Sequence, residues 1–230
     1  MNLDETISHL EGILSAYGCQ LYGFADLQGL TSGRLAEFHR AVSLALSMDA
    51  SVMESITLGP NQAYCDLYTL INQRLDALCA DLERSIQKAG FQAWAVPSSV
   101  RSDPINIRGD FPHKTAATRA GLGWVGKNAQ LISKSRGPWL RLGTVLTDMP
   151  LPVATPVEKS RCGKCARCIE ACPAGALAGG QWRPGLERSR LLDARACDAY
   201  KKDNLYHFLE GHICGICTAA CPVGRKLLRH

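Results

Sequence analysis

Residues 161–173 read Arg-Cys-Gly-Lys-Cys-Ala-Arg-Cys-Ile-Glu-Ala-Cys-Pro, with cysteines at 162, 165, 168 and 172. A second run, Cys214-Gly-Ile-Cys217-Thr-Ala-Ala-Cys221-Pro222, repeats the pattern one cysteine short. A cube of irons and sulfides needs four thiolates converging from a tightly turning chain, and the run C-x2-C-x2-C-x3-C-P supplies them. Where two such runs share a domain, the fourth cysteine of each reaches across to the other cluster. The expected ligands of cluster I are therefore Cys162, Cys165, Cys168 and Cys221, and those of cluster II are Cys172, Cys197, Cys214 and Cys217. Cys197, sixteen intervening residues before Cys214, is the spare cysteine of this region and closes the count. Gly163, Gly175 and Gly215 sit beside the ligands, where backbone amides can approach sulfur, and Pro173 and Pro222 end each run.

Zinc is the plain alternative, but a zinc ribbon uses two cysteine pairs separated by a longer loop, and the closely spaced triplet is a poor use of the chain for that purpose. A disulfide framework is weaker still. The first residues, MNLDETISHLEG, lack the apolar core of a secretory signal, so a reducing, cytoplasmic setting is expected.

No apolar stretch approaches the roughly 18 residues of a membrane span. Charge is uneven: residues 156–230 hold 13 Lys plus Arg against 7 Asp plus Glu, whereas residues 1–155 hold 13 against 14. Two clusters, each with four thiolates and about −2 in charge, offset that excess locally, so nucleic acid is not an expected partner.

Outside the cysteine runs the pattern alternates. Ile7, Leu10 and Leu14 predict a helix over 4–17 stopped by Gly18, and the apolar runs 21–25 and 41–48 predict strands. Leu67, Leu70, Ile71, Leu75, Leu78, Leu82 and Ile86 predict a long helix over 66–89 ended by Gly90. Strands are expected at 91–96 and 142–146. This reads as an α/β (α+β) domain over residues 1–155, a proline-rich joint at 150–156, and a ferredoxin-like domain over 156–230. Cys79 falls on the apolar face of the long helix and is expected to be a core residue.

Residues 113–128, His-Lys-Thr-Ala-Ala-Thr-Arg-Ala-Gly-Leu-Gly-Trp-Val-Gly-Lys-Asn, form the second informative segment. Gly121, Gly123 and Gly126 free the backbone for close approach, Trp124 offers a flat face, and Arg119, Lys127 and Asn128 offer polar contacts to a cofactor. A sharp structural turn with Trp124 plugged into the core explains the same residues equally well.

The stretch Ala120–Asn128, then Gly143-Thr-Val-Leu-Thr-Asp-Met-Pro150, then the two cysteine runs in this order, resembles the epoxyqueuosine reductases and the related reductive dehalogenases. Gly23-Phe-Ala-Asp26 and the end of the long helix extend the likeness over most of residues 20–225. The resemblance implies a nitroreductase-like domain holding a corrinoid (cobalamin) beside a bis-4Fe-4S domain that reduces its cobalt. No D-x-H-x-x-G cobalt-ligating motif is present, in keeping with that group. The family's V-D-T-x-P-x-x-E-R segment is missing, and its proton-donating Asp falls at Ile107. His113 and Lys114 lie nearby and are the candidates for proton delivery, with Tyr64 and Arg119 as weaker ones. No helical-repeat tail follows the second run, so a tRNA substrate is not expected and a small molecule is. His207 and His212 flank the second run, but eight cysteines leave them no vacancy.

Two other readings use the same cysteines. One is an electron carrier that docks an acceptor enzyme without an organic cofactor; the other is a reductase with FMN in place of the corrinoid. In each case a ferredoxin- or flavodoxin-type protein is the expected electron donor.

Overall fold

The computed structural model describes residues 2–226. In chain order the elements are α1 (Leu3–Ala16), β1 (Leu21–Asp26), β2 (Arg40–Ser47), α2 (Ala50–Ser55), α3 (Gln62–Lys88), β3 (Ala93–Val96), α4 (His113–Arg119), β4 (Trp124–Val125), β5 (Leu131–Ile132), β6 (Leu140–Thr147), α5 (Arg167–Glu170), α6 (Ala194–Leu205), α7 (Ile216–Ala219) and α8 (Pro222–Arg225). They fall into two compact units. The first runs up to Leu46 and includes Ile71–Leu122 and Arg141–Val157; the second holds Ser47–Leu70, Gly123–Leu140 and the chain from Glu158 onward. The last passage between units lies beside the proline-rich stretch at 150–156. Two earlier segments, 47–70 and 123–140, also belong to the second unit, which a single linear joint leaves out.

In the first unit α1 opens on a reciprocal cap. The Asn2 side chain accepts from the Glu5 amide at 2.8 Å, and the Glu5 carboxylate accepts from the Asn2 amide at 2.9 Å. Leu10 and Leu14 face the core, and Gly18 ends the helix with φ of +68°. The mixed α/β sheet has the order β1-β2-β6-β3. β1 and β2 pair antiparallel from Leu21↔Ala45 to Asp26↔Arg40, and β3 and β6 pair antiparallel from Ala93↔Thr147 to Val96↔Thr144. Residues 41–46 of β2 are all buried, as a run that is apolar except at Ser43 predicts for an interior strand.

Helix α3 begins four residues before the expected 66, because the Asn61 side chain caps it by accepting from the Tyr64 amide at 3.0 Å. Its Leu75, Leu78, Leu82 and Ile86 are buried in the first unit. Gly143 of β6 lets that helix pack closely, since a Cβ there would lie 2.8 Å from Cys79 Sγ and 2.9 Å from Leu44 Cδ1. Burial pushes the Cys79 thiol up to about 12, which makes it a core filler and no nucleophile.

The second unit is built around Trp139. Its ring is fully buried, and Nε1 donates to the Thr218 carbonyl at 3.1 Å. A Cβ on Gly224 would sit 2.7 Å from that ring, so α8 can cross the indole only with glycine there. The β4–β5 hairpin pairs Trp124 with Ile132 and Val125 with Leu131. Val125, Ala129 and Leu191 form a small buried cluster with Trp182, Leu186 and Leu192 against it. Asp49 caps α2 and Asp193 caps α6. Among the described residues no helix is long and apolar enough to cross a membrane.

Candidate metal centre

The two cysteine runs fold as loops that each feed a single helical turn. Cys168 lies in α5 and Cys217 in α7, with Cys172 and Cys221 just beyond. At Gly215 the chain takes φ of +84°, and a Cβ there would lie 2.5 Å from Ile56 Cδ1 and 3.2 Å from the Tyr64 ring. A side chain at this turn would be strained and also obstructed.

The thiols divide by mutual influence into two groups. Burial first, then the charges of Cys162, Cys221 and Cys165, push Cys168 up to about 11. Burial first, then Cys214, with Cys197 and Cys172 further down, pushes Cys217 up to about 12. Cys214 is raised by burial and by Cys197 and Cys172, and Cys221 by burial and by Cys162 and Cys165. Each of these thiols is thus influenced by cysteines of its own group, and Cys197 acts on Cys214 and Cys217. All eleven cysteines are unbridged. Among the described residues no three His, Cys, Asp or Glu groups lie close enough to hold a single metal ion.

The loop after α4 is committed largely to this unit. Lys127, only 9% exposed, donates from Nζ to the carbonyls of Gly163 at 2.9 Å and Cys165 at 3.0 Å. Asn128 Nδ2 reaches toward the Cys217 carbonyl at 3.5 Å, and Asn128 Oδ1 accepts from the Gln130 amide at 3.1 Å. Gly123 has no room for a Cβ, which would collide with the Ile132 carbonyl, and at Gly126 it would collide with the Ile132 side chain. Trp124 is buried, with the Arg161 guanidinium 5.8 Å from its ring centroid, and its Nε1 has no acceptor among the described residues.

Within the first unit, Gly121 has φ of +75° and a Cβ there would lie 3.0 Å from the Thr155 carbonyl. Arg119 Nε donates to the Asp26 carbonyl at 2.9 Å, which fixes the end of α4 to the end of β1. His113 ties β6 to the residue that follows β3: Nδ1 lies 2.9 Å from Thr144 Oγ1 and Nε2 lies 3.2 Å from the Pro97 carbonyl. The carbonyl can only accept, so Nε2 carries the hydrogen and Nδ1 accepts from Thr144. Burial foremost, with Arg141 and Lys114 adding to it against Asp76 and the Pro97 bond, lowers the His113 pKa to about 4. The ring is neutral at pH 7 and tied at both nitrogens.

Tyr64 is buried in the second unit with its ring against Gly215, and His207 lies against Phe208 at 4.1 Å between centroids. Sequence reasoning passed over Asp198, which is 6% exposed and paired with Lys202 at 3.0 Å and Lys201 at 3.5 Å. It also passed over Gln181, whose Nε2 donates to the Gly163 carbonyl at 2.6 Å. The i, i+3 and i, i+4 spacing of Asp198 to the two lysines was the available signal for the first; none pointed to the second.

Residues 161–224 match the family model described as a 4Fe-4S double cluster binding domain. The epoxyqueuosine reductase of Aliivibrio fischeri is 36% identical over 148 residues, covering 61% of this chain and 34% of the relative. The epoxyqueuosine reductase of Shewanella oneidensis is 31% identical over 225 residues, covering 88% of this chain and 53% of the relative. Over these stretches the chain is similar in sequence to the epoxyqueuosine reductases. It spans between a third and about half of the length of these two relatives. Among solved structures, a reductive dehalogenase whose description concerns B12-dependent dehalogenation superposes with a TM-score of 0.74 at 18% identity, over 96% of this chain and 33% of that one. An epoxyqueuosine reductase with an epoxyqueuosine-modified tRNA stem loop superposes with a TM-score of 0.61 at 19% identity, over 97% and 66%. These likenesses establish the fold.

Proposed function

We propose that the chain is an iron–sulfur reductase that passes low-potential electrons through two 4Fe-4S clusters to a corrinoid and thence to a small substrate. The observation that carries this reading is the match of residues 161–224, which hold both cysteine runs, to a 4Fe-4S double cluster binding domain; we assign Cys162, Cys165, Cys168 and Cys221 to one cluster and Cys172, Cys197, Cys214 and Cys217 to the other. When bound, the clusters supply single-electron transfer at potentials reaching down to about −700 mV, and a corrinoid supplies a metal that such electrons reduce. In this reading the cofactor belongs to residues 1–155, a nitroreductase-like domain, and the clusters to residues 156–230. Support for the corrinoid comes from the B12-dependent dehalogenase among the structural relatives.

The chain's own groups fit in stated ways. The unsatisfied Trp124 Nε1 is a buried donor that a bound group would complete. Lys127 and Asn128 serve the cluster loops, and Arg119 serves Asp26. For proton delivery, a neutral His113 has no proton to spare, so Lys114 carries that role within the pair. Ile107 replaces the relatives' carboxylate with an apolar side chain, which separates this chain's substrate from theirs.

The test is anaerobic purification followed by reconstitution with cobalamin and titration with dithionite. Binding of cobalamin, and its reduction by protein-borne electrons, is the expected result. Iron without cobalamin uptake would contradict the corrinoid and leave an electron carrier. Turnover of an epoxyqueuosine-bearing tRNA stem loop would contradict the small-molecule substrate.

A further inference from the structure

Lys127 is a buried cation without a buried anion. Its ammonium is held by two backbone carbonyls, Gly163 at 2.9 Å and Cys165 at 3.0 Å, and among the described residues no carboxylate pairs with it. Carbonyl dipoles replace part of its hydration, but an enclosed charge with no opposite charge is costly enough that such groups are normally paired. Both carbonyls belong to the first cysteine run, one following Cys162 and the other on Cys165 itself. The anion that completes this site is therefore the one those cysteines would hold.

The neighbouring residue makes the contrast. Asn128, next in sequence and uncharged, reaches the Cys217 carbonyl of the second run at 3.5 Å. A cation does lie near that run, since Lys201 Nζ donates to the His212 carbonyl at 3.3 Å. It is offset by the buried Asp198, which pairs with both Lys201 and Lys202. One dipeptide thus presents a full positive charge to one loop and a neutral amide to the other.

From this asymmetry, and resting on the two-cluster ligand assignment above, we infer that Lys127 is the counter-charge of cluster I and makes it the higher-potential member of the pair. Each cluster gains one electron from an external low-potential donor, and with its four thiolates goes from about −2 to about −3. A fixed cation in a weakly screened interior favours the more negative state, so it raises the potential of the cluster it faces. An electron entering the protein comes to rest on cluster I first, and cluster II fills second.

The experiment is an EPR-monitored redox titration with dithionite and mediators on anaerobic Lys127→Gln, Lys127→Arg and parent protein. The step altered by Cys197→Ser identifies cluster II. Lys127→Gln keeps a donor for the carbonyls and removes the charge. It is expected to make reduction of cluster I at least tenfold less favourable, about 59 mV for one electron, with a smaller change at cluster II and in Lys127→Arg. An unchanged cluster I step in Lys127→Gln would overturn the inference, as would equal shifts of both clusters. If Lys127→Gln loses cluster I, retention in Lys127→Arg upholds the charge requirement. Loss from both variants makes Lys127 a structural strut and refutes it. Parent protein without two clusters would defeat the ligand assignment instead, a separate outcome read from iron content before any titration.

Discussion

Replacing His113 by glutamine tests whether that imidazole is a strut or an acid. In the unfolded chain its pKa is the ordinary 6.5, and in the folded chain it is about 4 because burial disfavours the charged ring. Between those values the unfolded chain binds a proton that the folded chain does not, so stability is full above pH 6.5 and is lost as the pH falls toward 4. The 2.5-unit gap corresponds to about 3 kcal/mol in all, of which about 2 kcal/mol is lost between pH 7.5 and pH 5. The assay is anaerobic urea unfolding of parent and His113→Gln at a series of pH values. Titration of other groups contributes to both proteins and cancels in the difference. The parent's advantage over the variant should shrink by about 2 kcal/mol from pH 7.5 to pH 5. Parallel curves over that interval would refute the reasoning and return His113 to the pool of groups that exchange protons near neutrality.

Three further outcomes follow from contacts. Gly23→Ala would place a Cβ 2.6 Å from the Ala120 carbonyl, and chemical unfolding should show a loss of about 1–3 kcal/mol as α4 is pushed off β1. Ile107 holds φ of +54°, which a β-branched residue tolerates poorly, so Ile107→Asn should raise stability by about 1 kcal/mol whereas Ile107→Val should not. Cys197→Ala should lower iron from about eight to about four per chain while one cluster's EPR signal survives. Retention of all the iron would remove Cys197 from the ligand set.

Local periodicity made most of the first unit legible. The mostly apolar run at 41–48 lies almost wholly in β2, the stripe from Leu67 to Ile86 became α3, and Gly18 ended α1 as expected. Start points drifted where a side chain outside the pattern acts as a cap, as Asn61 does for α3. The cysteine-rich segment was legible because its spacing is distinctive, and residues 161–224 match a 4Fe-4S double cluster binding domain. The loop at 121–128 was not. Its glycines read as openings for a cofactor, but Gly123 and Gly126 are small because the β4–β5 hairpin closes on itself at Ile132. Lys127 read as a contact for a ligand, yet it is spent on carbonyls some forty residues along the chain, about which sequence pattern carries no information. Membership of 47–70 and 123–140 in the second unit was hidden for the same reason, since packing between distant segments leaves no periodic trace.

The decisive measurement is iron, acid-labile sulfide and zinc on protein purified without oxygen, with EPR after dithionite. About eight irons and eight sulfides per chain, with two interacting reduced-cluster signals, are predicted. Colourless protein holding stoichiometric zinc and no sulfide would contradict the account at its root.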